Sequence, residues 1–141
     1  MILLDSDHVS ILVDPRQSLR QKLRERLDHA TDSVCLPVVV VEEQLRGWLA
    51  AVHRVRDPHQ QIVPYLRLAK LVGFFSNWPV IDWNEPAADA FVRLRQARVR
   101  IGTQDLKIAS IALANNAMLL SANLLDFQQV SGLHVEDWVH D

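Results

Sequence analysis

Six acidic side chains stand where apolar segments end: Asp5 and Asp7 after "MILL", Glu42 and Glu43 after "VVVV", Asp105 in "GTQDLKIASIAL" and Asp126 in "SANLLDF". Taken singly, such residues have an ordinary use. A carboxylate in a first helical turn favours the positive end of the helix dipole by about 0.3–1 kcal/mol, and Asp5 could equally cap a helix. Taken together they suggest more, because gathered carboxylates repel one another and hold protons more tightly unless a cation neutralises them. The chain has one cysteine and six scattered histidines, so the ligand spacing of a zinc site is missing and a hard, oxygen-bound cation fits better. Mg²⁺ needs only a few carboxylates and keeps several waters, which leaves room for phosphate oxygens. A site of that kind can generate hydroxide and stabilise phosphoryl charge. Only His8 lies near these acids in sequence, and it reads as a packing or hydrogen-bonding residue, not a ligand.

Strands and helices must bring the acids together. Residues 2–4 form the first strand candidate. "DPRQSLRQKLRERLDHA" reads as a helix with Asp14 as N-cap and Pro15 at the first helical position, and Leu19, Leu23, Leu27 and Ala30 make its apolar stripe. "SVCLPVVVV" is continuous and β-branched, the pattern of a strand buried on both faces, and "EEQLRGWLAAVHRV" turns helical. Asp57-Pro58 breaks the chain, and a long helix follows to about Asn77. Its apolar positions cover more than one stripe, so part of it should meet another element or another chain. Core packing accounts for most of them, but not for both Phe74 and Phe75. "PVIDW" is a third strand, "NEPAADAFVRLRQA" a helix capped by Asn84, and "GTQDLKIASIALANN" an apolar helix that Thr103 can cap; "AMLLSA" and "LHVEDWV" are two more strands. Strands alternating with helices imply an α/β fold with a five-stranded, parallel or mostly parallel sheet between helical layers. Ligands of such sheets collect at the carboxyl ends of the strands, and the acids fall there.

The 141 residues are enough for one domain, with 49% apolar and 23% charged residues, no repeat and no low-complexity tract. No secretory signal pattern opens the chain and no apolar run approaches a membrane span, so a soluble, cytoplasmic protein without membrane contact is expected. Cys35 has no partner for a disulfide and reads as a buried thiol. The net charge of −2 argues against nucleic-acid binding by overall field, yet 12 of the 15 basic residues are arginines, the better phosphate partners. Trp48, Trp78, Trp83 and Trp138 are taken as core and interface anchors in preference to base-stacking platforms.

"LLDSDHVS", "VVVVEEQLRG", "IGTQDLKIASIAL" and "LLSANLLDFQQVSGLHVEDW" resemble, in that order and over essentially the whole chain, the motifs of PIN-domain ribonucleases, above all VapC-type toxins of toxin–antitoxin pairs. The resemblance implies a Mg²⁺-dependent endoribonuclease, with Mn²⁺ able to substitute, on a five-stranded parallel sheet. The family's first aspartate falls on Asp5. Its strand-two glutamate, four positions before a glycine, falls on Glu43 before Gly47, with Glu42 the lesser choice, and its "GxxD" aspartate falls on Asp105. Near the fourth strand Ser121 replaces the family's Thr and Asn123 takes the first polar position. Asn123 is neutral, so Asp126 would have to supply the fourth charge, through water. Ser6, Asp7, Ser121 and Asn123 are then supports around the ligands. Arg46 and the run Arg93, Arg95, Arg98 and Arg100 are candidates for holding RNA phosphates, although a solvated helix face explains them equally well. The resemblance further implies an RNA substrate, a cognate antitoxin and a homodimer.

Other readings share these residues. A haloacid-dehalogenase-like phosphatase would use Asp5 as nucleophile and Asp7 two positions on, and it needs a lysine downstream for which Lys107 is a poor candidate. A phosphate-accepting receiver domain needs a late lysine, and Lys107 is the last one. A PIN domain that only binds RNA or a partner, its metal site spoiled by Asn123, is the remaining alternative.

Overall fold

A computed structural model describes residues 1–140. Five parallel strands, β1 (Ile2–Leu4), β2 (Val34–Pro37), β3 (Val80–Ile81), β4 (Met118–Leu120) and β5 (Val135–Glu136), lie in the order β3-β2-β1-β4-β5. Seven helices connect them among the described residues: α1 (Ser6–Val13), α2 (Arg20–Asp28), α3 (Val38–His53), α4 (Ile62–Phe75), α5 (Glu85–Gln96), α6 (Thr103–Ala114) and α7 (Leu124–Phe127). The chain travels outward from β1 to β2 and β3, then crosses back to place β4 and β5 on the other side of β1. The direction of winding therefore switches between β1 and β4, the position where open parallel sheets carry their ligands.

Burial explains the middle of the sheet. Leu3 and Leu4 of β1, Leu36 of β2 and Leu119 and Leu120 of β4 have no accessible surface. Each such side chain contributes about 1.5–3 kcal/mol relative to exposure. Cys35 is buried and free, as its apolar setting implied. The stripe of α2 is also as read: Leu23 and Leu27 are buried, with Leu19 and Ala30 packed on the core.

Several boundaries differ from the sequence reading. The first helix after β1 starts at Ser6, with Asp5 as its N-cap, and Asp14 closes it at the C-terminal end. Asp14 and Pro15 thus belong to a turn, in which the Asp14 carboxylate accepts from the Arg16 N–H at 3.0 Å, and α2 begins only at Arg20. The valine run is not strand: Val38 to Val41 are the first turn of α3. Pro37 has no N–H with which to continue the ladder, and helical geometry buries Val39 and Val40. That burial outweighs a β-branched helix penalty of at most about 0.7 kcal/mol per residue. Thr103 is the first residue of α6, after Gly102, and makes no capping bond. Asn84 does cap α5, accepting from the Ala87 N–H at 3.1 Å.

The long apolar helix is nearly the reverse of expectation. Phe74 and Phe75 both pack against the core, their ring centroids 5.9 Å apart. Leu71 is fully buried, whereas Ile62, Val63, Tyr65, Leu66 and Val72 are each more than half exposed. Among the tryptophans, Trp78 and Trp138 pack on the core; Trp48 and Trp83 lie outside it. No helix among the described residues is long and apolar enough to cross a membrane.

The core and the surface of α7 make a direct comparison. Phe127 is completely buried and Leu125 is 81% exposed. Phe127→Ala should lower the unfolding free energy in urea by about 3–5 kcal/mol, and Leu125→Ala should change it by less than about 0.5 kcal/mol.

Candidate active site

Asp5 leaves the carboxyl end of β1 with two duties. Its Oδ1 accepts from the Ser6 N–H at 2.7 Å, capping α1, and its Oδ2 accepts from the Ser121 hydroxyl at 2.6 Å, just past the end of β4. Strands β1 and β4 are paired through Leu4 and Leu120, so the next residues, Asp5 and Ser121, meet at the switch point by register. The Ser6 hydroxyl turns the other way and donates to Glu43 Oε1 at 3.0 Å. Had the valine run been extended, the orientation of Glu43 would follow a strand; as the second turn of α3 it faces α1.

The remaining acids arrive from α6 and α7. Asp105 lies in the first turn of α6 and Asp126 in the first turn of α7. One amide joins them, with Asn123 Nδ2 donating to Asp105 Oδ2 at 3.2 Å and to Asp126 Oδ2 at 3.1 Å. The residue that seemed to weaken the site by being neutral is therefore a bridge between two like charges. Asp7 stands beside the group with both oxygens engaged: Oδ2 accepts from the Ala122 N–H at 2.9 Å, and Oδ1 accepts from Nδ1 of fully buried His8 at 2.6 Å. The His8 Nε2 takes the Trp138 N–H at 3.4 Å, which leaves Nδ1 as the donor and ties the C-terminal segment to the site.

Glu42 is separated from this group. It accepts from the Arg46 guanidinium at 2.6 Å and from the Gln104 amide at 3.0 Å, which leaves Glu43 as the acid of this pair held by Ser6 and within electrostatic reach of Asp105. Gln104 was not legible as a participant; its only signal was its place next to Asp105. Arg98 and Arg100 lie exposed on the loop between α5 and α6, and neither is ion-paired with the acids among the described residues. Arg93 and Arg95 are exposed on the last turn of α5, with Arg95 over the Phe91 ring. Lys107 lies over the Trp83 ring, 6.0 Å from its centroid, instead of beside Asp5, which disfavours a phosphatase that would need it there.

The electrostatics follow from this crowding. Burial, reinforced by the neighbouring Asp7 charge and to a lesser degree by Asp105, pushes the Asp5 carboxyl up to about 7. Burial also raises Glu43, with Asp105 and Glu42 adding to it, and raises Asp105, with Asp126 and Asp7 adding to it. Among the described residues no three acidic, histidine or cysteine side chains are drawn together into a ready-made metal cage; serine and asparagine donors space the carboxylates instead. The donor set is nevertheless all oxygen, carried by Asp5, Asp105, Glu43 and Asp126, and suits a hard cation that retains part of its water.

No protein-family model matches the chain. It is 26% identical over 122 residues to the tRNA(fMet)-specific endonuclease VapC of Salmonella typhimurium, covering 84% of this chain and 85% of the relative. It is 35% identical over 74 residues to ribonuclease VapC2 of Rickettsia felis, about half of each protein. Among solved structures, a chain of the DNA-bound VapBC of S. typhimurium superposes with a TM-score of 0.76 at 23% identity, covering 97% of both chains. A chain of the promoter-bound VapBC2 of R. felis gives 0.75 at 24%, covering 98% and 99%. The chain has the fold of these VapBC chains and resembles VapC ribonucleases in sequence. Within this VapC-like fold the sequence-derived acids Asp5, Glu43, Asp105 and Asp126 are electrostatically and hydrogen-bond connected at one end of the sheet, with Ser6, Asp7, Ser121 and Asn123 between them.

The raised Asp5 carboxyl fixes a pH dependence. Below about pH 4 folded and unfolded chains both hold the proton, since the unperturbed value is 3.8. From there to about 7 the folded chain keeps a proton that the unfolded chain has released, so stability falls as pH rises, and above about 7 the whole penalty is present. Asp5→Asn keeps a capping side chain and should be more stable than the parent at about pH 8, on the order of 2–4 kcal/mol, but not at pH 4, in thermal unfolding with chelator present.

Proposed function

We propose that the chain is the endoribonuclease toxin of a toxin–antitoxin pair and hydrolyses RNA phosphodiester bonds with Mg²⁺, or Mn²⁺ in its place. The observation that carries this reading is the convergence of Asp5, Glu43, Asp105 and Asp126 at the switch point of a VapC-like fold, joined by Ser6, Ser121 and Asn123. The S. typhimurium relative is named for cutting tRNA(fMet), and several solved neighbours are toxin–antitoxin complexes, which supports RNA as the substrate class and an antitoxin as partner. The exposed apolar side of α4 suits a homodimer, and a cytoplasmic setting suits the RNA target.

Asp5 and Asp105 would hold the cation, with Glu43 and Asp126 assisting through water. When bound, it supplies charge neutralisation among the carboxylates and on the phosphoryl oxygens. Glu43 is the proton acceptor best suited to the attacking water. Its carboxyl is raised by burial, and its Oε1 is oriented by the Ser6 hydroxyl while Oε2 stays available. The water oxygen attacks phosphorus as its proton passes to Glu43, the bond from phosphorus to the ribose O3′ breaks, O3′ takes a proton from solvent, and the ends are a 5′-phosphate and a 3′-hydroxyl. Asp7, with its oxygens engaged by His8 and the Ala122 N–H, fixes the segment after β4 that carries Ser121. Arg46 stands at the rim, and Arg98 and Arg100 could meet the strand beyond α6.

Asp5→Asn and Asp105→Asn should each abolish Mg²⁺-dependent cleavage of total RNA with an unchanged circular dichroism spectrum, as should chelator added to the parent chain. Glu43→Gln should slow it by about 10²–10⁴-fold. Full activity in either aspartate variant refutes the assignment.

A further inference from the structure

Beside the acids a cavity of about 370 Å³ opens between the end of α1, α3 and α4, within the size range of small-ligand sites. Its wall is shared with the site. Gln44 lines the cavity and donates from Nε2 to the Ser6 carbonyl at 3.2 Å and to the Ser10 hydroxyl at 3.0 Å, while Ser6 holds Glu43, the residue preceding Gln44 in the chain. Trp48 follows Gln44 by one turn of α3, about 6 Å along the helix, and leads away from the acids. It is half-buried, outside the core, and the Arg67 guanidinium lies 5.3 Å from its ring centroid.

The remaining chemistry is cationic. Arg16, Arg67 and Lys70 line the same cavity and are exposed, against a single acid, Asp14, that lies 3.8 Å from Arg16. This local excess of positive charge belongs to a chain of net charge −2 and is joined to the carboxylate site through Gln44, the residue after Glu43. A polyanion approaching those carboxylates needs compensating cations close by. An aromatic face with a guanidinium over it, flanked by further cations, is the usual seat of an unpaired base and its phosphates.

Building on the ribonuclease reading, we infer that this cavity binds an unpaired nucleotide of single-stranded RNA next to the scissile phosphodiester. The base stacks on Trp48, and Arg67, Lys70 and Arg16 hold the adjoining phosphates. Trp48 is then a specificity residue of the RNA site. A protein segment is the competing occupant, but the cations and the shared wall with Glu43 favour RNA.

The test is steady-state cleavage of a random-sequence single-stranded RNA pool by the full chain in Mg²⁺. Trp48→Ala should raise KM by about 5- to 150-fold, the equivalent of losing one base–aromatic stack, with a much smaller effect on kcat, and Trp48→Phe should restore most of it. Lys70→Gln should reduce the salt dependence of KM by about one unit of slope. If Trp48→Ala does not fold, the Arg67→Gln, Lys70→Gln double variant answers the same question through KM and slope. Unchanged KM and slope in folded variants of an active parent overturn the nucleotide site while leaving the ribonuclease reading intact, and so does an equal loss against duplex and single-stranded RNA. A parent that cleaves no RNA overturns both.

Discussion

Mutual repulsion among partly desolvated carboxylates is the constraint around which this fold is arranged. Asp5 is almost fully buried, and Asp5, Asp7, Glu43 and Asp126 all lie within electrostatic reach of Asp105. Left to themselves, such charges would separate or remain protonated. Short polar side chains hold them in place: Ser121 on Asp5, Ser6 on Glu43 and Asn123 on both Asp105 and Asp126. Each is a hydrogen-bond donor to a charged acceptor, worth about 1.5–3 kcal/mol, and none adds a positive charge that would compete with a cation. Arg46 at the rim is hydrogen-bonded to Glu42, and its charge is the smallest of the influences on Glu43.

A site that opposes its own assembly needs a rigid frame. The frame is the apolar centre of the sheet, where β1 and β4 are buried and in register up to Leu4 and Leu120. The first polar residue after each is Asp5 or Ser121, so strand pairing alone sets their separation. Helix α3 does the same for Glu43: Pro37 ends the ladder, the buried valines start the helix, and the side chain is delivered to Ser6. The anchoring of His8 between Asp7 and the Trp138 N–H extends the frame to the far end of the chain.

The parts legible in the sequence were those governed by short-range pattern. Apolar runs followed by acids placed Asp5 and Asp105 at the correct rim, and Asn84 announced its helix. What sequence alone did not resolve depended on tertiary burial. The valine run satisfies strand and helix statistics alike until the burial of Val39 and Val40 decides. Helix α1 was hidden because Asp5 and Asp7 drew attention as ligands, whereas the Asp5 carboxylate caps that helix. Phe74 and Phe75 found the core through a turn of α4 that periodicity could not orient, and Trp48 left it. The bridging role of Asn123 was invisible because its two partners are 18 and three residues away and meet only in the fold.

Calorimetric titration of the parent chain with Mg²⁺, in two buffers of different ionisation heat at about pH 6 and about pH 8, tests the shared-carboxylate site most directly. Binding of a cation to Asp5 and its neighbours must release protons at the lower pH, where Asp5 is largely protonated, and far fewer at the higher one. Binding that is lost in Asp105→Asn, with that pH-dependent proton release in the parent, is the predicted result. No binding, or binding with the same proton release at both pH values, would contradict it.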